Sequence, residues 1–372
     1  MSGTGECITA GTSLLLGLAA GFIMHRSDFC MAGMLRDLFL FRSTFKLRIL
    51  LLTVLAIMVL IEAARQAGLI YLFPFPGFGS SSLANLVGGM FFGVGMVLAG
   101  GCVAGTLYKM GSGKIVSAVA FAGLIVGSTL YAEFHSVWKS FADTVRILPG
   151  KVTLAQFVGL QQGTVISVIA TLLAIPLFRW WRAGKLVRSS AADGYLQPWR
   201  AGLMLALLVT VSVLIIGIPL GITTSYAKAG AWIVSLFAPG HAEGLSYFKA
   251  RAFDYPNHLL GITYSGGPGP ACDTISLIQF PLIGGLIAGG FLSVRLLGEF
   301  KIHARVPRSQ YLSAFIGGIL MGLASRMAPS CNIWHILGGL PVLAIQSILF
   351  IVGLMPGAWL GGRLLTGIVL KD

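Results

Sequence analysis

The sequence predicts an all-α integral membrane protein of about nine transmembrane helices plus short membrane-dipping helices, arranged as two inverted repeats. Three observations predict it. The chain is 56% hydrophobic and only 10% charged, with 50 glycines in 372 residues, whereas a water-soluble surface needs far more charge. Apolar runs of about 20 residues, long enough to cross a bilayer, recur from end to end. The run that ends at Cys102 also aligns without a gap with the run that ends at Cys331. At that spacing of 229 residues Gly88 matches Gly317, Gly89 matches Gly318, Gly93 matches Gly322 and Ala99 matches Ala328. A broken apolar segment that occurs twice in a membrane chain points to a substrate path.

Candidate spans fall at about 8–24, 46–65, 83–101, 114–133, 162–182, 200–220, 275–297, 311–328 and 341–362. The ten-residue alternation of a membrane barrel is absent. The pairs Gly17/Gly21, Gly89/Gly93 and Gly357/Gly361 are Gly-x-x-x-Gly steps that let helix backbones approach closely, and packing is their expected use. No basic residue precedes the first apolar run, so it is expected to be a retained first helix rather than a cleaved signal.

The polar, basic stretch 183–199 reads as a linker. It separates a first repeat, 1–182, with five spans from a second, 200–372, with four. An odd number of spans in the first repeat inverts the second. The starts of the halves also correspond at a spacing of 200, Gly17 and Gly21 with Gly217 and Gly221, which sets Gly230 opposite Cys30. Four short semi-polar stretches, near 25–41, 102–113, 223–237 and 331–340, are too apolar for ordinary loops. They read as half-helices dipping into the membrane around a central path.

With nine spans, 18 of the 26 basic residues fall in one set of alternate loops. The positive-inside rule then places the N-terminus outside and the C-terminus in the cytoplasm. The net charge of +14 is thereby assigned to topology and contact with anionic lipid. No basic segment is large enough to form a nucleic-acid-binding domain.

The cysteines are Cys7, Cys30, Cys102, Cys272 and Cys331. None forms a Cys-x-x-Cys pair, which argues against zinc, iron–sulfur and thioredoxin-like chemistry. A lone buried cysteine is ordinarily a small hydrophobe. Cys30, Cys102 and Cys331 depart from that expectation because each lies at a predicted helix break. Acidic residues avoid the span centres, so a carboxylate relay or a hard-cation cage is disfavoured. An anion suits the chain better, since inward-pointing helix N-termini and backbone N–H groups can replace part of its hydration. Gly100 and Gly101 supply the turn that aims such groups, and neutral thiols add weak S–H donors suited to a soft, sulfur-bearing anion.

Arg26, Lys109, Lys228 and Arg326 flank the dips, where they either draw anions inward or snorkel to the interface. Asn332 and His335 are candidate donors to an oxyanion, or structural residues. Cys272 lies in a rigid Gly/Pro turn, 264–273, read as a connector or a vestibule wall. A transporter is the leading reading, with no cofactor and no catalytic residue expected. A membrane thiol enzyme is the second, but it lacks paired cysteine spacing. A structural subunit is the third, and it leaves the duplicated breaks unexplained.

Three motifs together resemble the YeeE/YedE family of sulfur-transport proteins. They are Ser27-Asp28-Phe29-Cys30 through Leu35-Arg36-Asp37; Gly100-Gly101-Cys102-Val103-Ala104-Gly105-Thr106-Leu107-Tyr108 with Gly111 and Gly113; and Cys331-Asn332-Ile333-Trp334-His335 with Gly339. The resemblance implies a bacterial inner-membrane protein that imports thiosulfate, with Cys30, Cys102 and Cys331 handing the ion along. It also implies a small cytoplasmic carrier of the TusA type as partner, and in some branches a link to selenium. Two features depart from the family pattern: Pro329-Ser330 stands before the third cysteine in place of Gly-Gly, and Cys272 has no counterpart. A different sulfur anion or a selenium compound is therefore an alternative substrate.

Overall fold

The computed structural model describes residues 2–189 and 192–369. Ser190 and Ala191 of the linker, and Lys371 of the C-terminal basic group, lie outside the described residues. The helices are α1 (Ser2–Ser27), α2 (Met31–Leu40), α3 (Phe45–Gln66), α4 (Leu83–Leu98), α5 (Val103–Gly111), α6 (Ile115–Thr144) and α7 (Leu154–Val158). They continue as α8 (Gln162–Arg182), α9 (Pro198–Ile216), α10 (Thr224–Phe237), α11 (Pro239–Gly244), α12 (Thr274–Leu296), α13 (Arg308–Met327) and α14 (Ile345–Leu364). Two small antiparallel ribbons pair β1 (Ser81–Ser82) with β2 (Arg146–Leu148) and β3 (Phe253–Asn257) with β4 (Ile262–Gly266).

Among the described residues eight helical segments are long and apolar enough to cross a membrane. α13 is the remaining long helix, at 20 residues. Arg308, Gln310 and Arg326 near its ends dilute its apolar character, so it counts as a span by its packing rather than by composition. The expected spans 83–101 and 341–362 stop and start a few residues differently, because α4 breaks at Ala99 and α14 begins after a wide turn at Trp334–Gly339. The stretch 238–274, between α10 and α12, contains the β3–β4 hairpin, which packs on α1 through Thr9 and Tyr264.

Local chemistry explains the helix ends. Ser82 and Asn85 form a reciprocal capping box that starts α4, and Asp273 with Ser276 does the same for α12. Pro198 occupies the first turn of α9, and Gly217 closes that helix in the left-handed conformation. The expected correspondence at a spacing of 200 fails here. Gly17 and Gly21 lie inside α1 against α12, whereas Gly217 ends α9. Gly230, the proposed counterpart of Cys30, sits in the middle of α10, whose N-cap is Thr223.

Backbone-to-backbone contact at glycine holds the long helices together. In α4, Gly89 and Gly93 meet the carbonyls of Phe350 and Leu354 on α14, while Gly353 and Gly357 meet those of Leu86 and Met90 on α4. In α13, Gly318 and Gly322 meet the carbonyls of Ala120 and Leu124 on α6, while Gly123 and Gly127 meet those of Phe315 and Ile319 on α13. The α4–α14 and α13–α6 pairs thus use equivalent positions. The two pairs also touch reciprocally: Gly88 abuts Ala328, and Gly317 abuts Ala99. A side chain at any of these glycines would strike main chain, which is the close approach that small residues allow between membrane helices. By contrast α8 fully buries only Ile166 and Leu177, packs Val165, Ile169 and Ala170 partly inward, and turns Val168, Leu172, Ile175, Phe178 and Trp181 outward.

Candidate functional site

Three of the four expected dips begin at a cysteine. Cys30 is the N-cap of α2 and Cys102 the N-cap of α5. Cys331 opens the turn that leads into Trp334–Gly339. Each sulfur faces the first free N–H groups of its own segment. The Gly105 N–H donates to Cys102 Sγ at 3.3 Å, Cys30 Sγ faces Gly33 N–H, and Cys331 Sγ faces the Ile333 and Trp334 N–H groups. Such orphan donors carry the positive end of a helix dipole. All three thiols are free, and each is at most 1% exposed.

Cys30 and Cys102 are neighbours. A Cβ built on Gly105 would lie 3.1 Å from Cys30 Sγ and 3.2 Å from Cys102 Sγ, so the two sulfurs lie close together against Gly105. Cys331 is held farther along. Its neighbour Asn332 donates to Met31 Sδ at 3.1 Å, beside Cys30. Tyr226 of α10 lies within electrostatic reach of both Cys331 and Cys102. Gly100, in the left-handed conformation at φ +68°, and Gly101 make the turn before Cys102. In the equivalent turn before Cys331 it is Ser330 that takes positive φ, at +93°, a conformation that strains a side-chain-bearing residue.

Beyond Cys331 two adjoining cavities of about 510 and 190 Å³ share Tyr131, His135, Arg326 and Pro329, and the smaller reaches Ser330 and Trp334. Arg326 is 9% exposed and hydrogen-bonds Ser325, Tyr247 and Thr223. Among the described residues no acidic side chain pairs with it. A buried cation without a counter-charge favours an anion in the space it lines. Trp334 Nε1 and Gln346 Nε2, both buried, also lack partners there.

Beyond Cys30 basic side chains outnumber acidic ones. Lys109 Nζ donates to Gly100 O at 2.8 Å and lies 3.9 Å from Cys30 Sγ. Lys46 bridges Asp28 at 3.0 Å and Asp37 at 3.2 Å. Partial burial, then the neighbouring Lys109 ammonium, push Lys114 below its ordinary range. A cavity of about 200 Å³ lined by Arg26, Asp28, Arg188 and Tyr195 follows. Arg26 donates to Gly194 O, fastening the linker across it.

The remaining candidates divide. His335 is fully buried, shares a hydrogen bond with Ser347 at 2.9 Å and stacks on Phe350 at 4.2 Å. That leaves Nε2 without a partner and gives the ring a structural seat. Lys228 does not flank a path as a free cation. It is fully buried, pairs with Asp273 at 2.6 Å and binds the carbonyls of Gly269 and Ala271. It therefore pins the Gly/Pro turn, and Cys272 in that turn is exposed and apart from the other thiols. Sequence reasoning missed Tyr108 and Tyr226. Both are buried beside the cysteines, and neither hydroxyl meets a nitrogen or oxygen partner; that of Tyr108 faces the Cys30 sulfur.

A sequence profile of the sulphur-transport family covers residues 26–360. The chain is 30% identical to the thiosulfate transporter TsuA of Spirochaeta thermophila, over 94% of this chain and 98% of that one. It is 26% identical to the thiosulfate transporter TsuA of Escherichia coli, over 94% and 92%. To a probable transporter, YedE, of Escherichia coli it is 25% identical over 46% of this chain and 41% of the other. With the apolar helices and the profile spanning nearly its whole length, this multi-pass membrane chain belongs to the sulphur-transport (YeeE/YedE) family.

Proposed function

We propose that the chain imports thiosulfate through a constriction made by Cys331, Cys102 and Cys30 in that order, and that it is not an enzyme. The observation that carries this reading is the placement of three buried thiols at the N-terminal ends of three short segments, two of them astride Gly105. Helix N-termini attract an anion without fixed full charges, so they can replace hydration without holding the ion tightly. The thiols offer S–H donors to the sulfane sulfur. Arg326 gathers the anion on one side, while Arg26 and Lys109 receive it on the other.

Two inverted repeats, 1–182 and 200–372, supply this geometry. The equivalent glycine contacts of α4–α14 and α13–α6, offset by 229 to 230 residues, support that division. The end rich in Lys and Arg is read as cytoplasmic and the membrane as the bacterial inner membrane, with the N-terminus outside and the C-terminus inside. A small TusA-like carrier is the proposed cytoplasmic acceptor.

Uptake of labelled thiosulfate into liposomes holding only this protein tests the reading. Cys102→Ala is expected to insert normally and to abolish uptake, whereas full uptake by that variant removes the thiol relay. Sulfate and selenium compounds as competitors define the substrate. A second reading, sulfur transfer on the protein itself, draws on the adjacency of Cys30 and Cys102. Mass analysis after turnover distinguishes it, through a persulfide or a Cys30–Cys102 disulfide.

A further inference from the structure

We propose that the hydroxyls of Tyr226 and Tyr108 are the donors for the oxygen atoms of the transported anion, Tyr226 near Cys331 and Cys102 and Tyr108 near Cys30. This rests on the thiosulfate reading above and assigns the half of the ion that the thiols leave unserved. A desolvated sulfonate exposes three hard acceptor oxygens, and an S–H group is too weak a donor to replace their water.

The two hydroxyls are set apart by their surroundings. Burying an O–H group without a partner is costly, and buried tyrosines normally find one. Elsewhere in this chain they do. Tyr255 Oη donates to Ile216 O at 3.1 Å, Tyr264 shares a hydrogen bond with Thr9 at 2.7 Å, and Tyr247 accepts from Arg326 at 3.3 Å. Among the described residues Tyr108 and Tyr226 are the tyrosines whose buried hydroxyls meet no nitrogen or oxygen partner, Tyr108 having only the weak Cys30 sulfur beside it. They are 3% and 1% exposed.

Their rings are fixed by neighbours, so the hydroxyls are held in place. Tyr226 meets Phe121 edge-on at 5.5 Å, and Tyr108 meets His25 edge-on at 6.3 Å. The α5 backbone at Tyr108 presses on Gly290 of α12. Tyr226 Oη lies within electrostatic reach of Cys331 and Cys102, and Tyr108 Oη lies beside Cys30 with Cys102 also in reach. Tyr226 therefore serves the interval between Cys331 and Cys102, and Tyr108 the Cys30 end. A hard donor thus accompanies the soft ones at both ends of the constriction, as an ion with one soft sulfur and three oxygens requires.

Tyr226→Phe and Tyr108→Phe keep the rings and remove only the hydroxyls. Uptake of labelled thiosulfate into proteoliposomes and thermal unfolding in detergent are measured for both, with Tyr255→Phe as a contrast. A charge-assisted hydrogen bond lost at the constriction lowers uptake about 10- to 100-fold. The expected result is that loss in both variants, with a melting temperature unchanged or raised. Tyr255→Phe, whose hydroxyl already serves a carbonyl, is expected to melt lower and retain uptake. Wild-type uptake in the two variants overturns the assignment while leaving the thiol path standing. A marked fall in their melting temperature also overturns it, by showing the hydroxyls to be structural. Failure of the wild type itself to transport thiosulfate removes the transport reading and this assignment together.

Discussion

Gly105 is where the arrangement of thiols is most open to a small perturbation. Gly105→Ala places a methyl group 3.1 Å from Cys30 Sγ and 3.2 Å from Cys102 Sγ, closer than such atoms ordinarily sit. Gly105 lies within α5 and without positive φ, so alanine itself favours the helix by about 1 kcal/mol. Overpacking of this kind costs about 1–3 kcal/mol. The net change in stability is then between about zero and 2 kcal/mol of loss, which the fold tolerates. Relief comes only from moving one or both sulfurs, since the added carbon is fixed to the main chain. Weakening one contact to the passing ion by about 1.4 kcal/mol lowers uptake tenfold. Thiosulfate uptake in proteoliposomes, beside thermal unfolding of the same preparation, separates the two effects. Gly101→Ala is the control, because a methyl there would have ordinary contacts at 3.5 Å. Gly105→Ala uptake equal to that of Gly101→Ala would refute the claim that these two sulfurs act as one constriction.

Arg326→Gln removes the uncompensated guanidinium of the larger cavity and is expected to raise the KM for thiosulfate at least tenfold. The salt dependence of uptake at low substrate should flatten with it. Lys228→Ala leaves Asp273 without its ion pair and is expected to destabilise the protein by about 3–5 kcal/mol, read by thermal unfolding. Adding Asp273→Ala should restore part of that loss, although the α12 cap is then missing as well.

Much of the helical plan was legible in the sequence, for physical reasons particular to membranes. A bilayer demands long apolar runs, so α3, α8 and α12 begin and end within a few residues of the expected bounds, whereas α6 starts as expected but runs on to Thr144, well past the expected end at 133. The breaks at Cys102 and Cys331 were legible because glycine, proline and serine interrupt otherwise continuous runs. The role of Lys228 was not, since its partner Asp273 is 45 residues away and only folding brings them together. The offset of 200 misled because Gly17 and Gly217 are one residue type with two jobs, close packing within α1 and left-handed closure of α9. Tyr108, although inside the second motif, and Tyr226 are not singled out by sequence, since an aromatic residue in an apolar segment looks like any other core side chain. Only the partners its oxygen does or does not find distinguish it.

Helices that meet carbonyl against glycine Cα, as α4 does with α14 and α13 with α6, have no cushion of side chains between them. Rotamer changes cannot absorb a shift there, so sliding one helix along the other means prying main chain from main chain. Such pairs behave as stiff pillars. Compliance is left to segments that lack such contacts, so hydrogen exchange should be slower along the pillars than in α2 and the wide turn after Cys331.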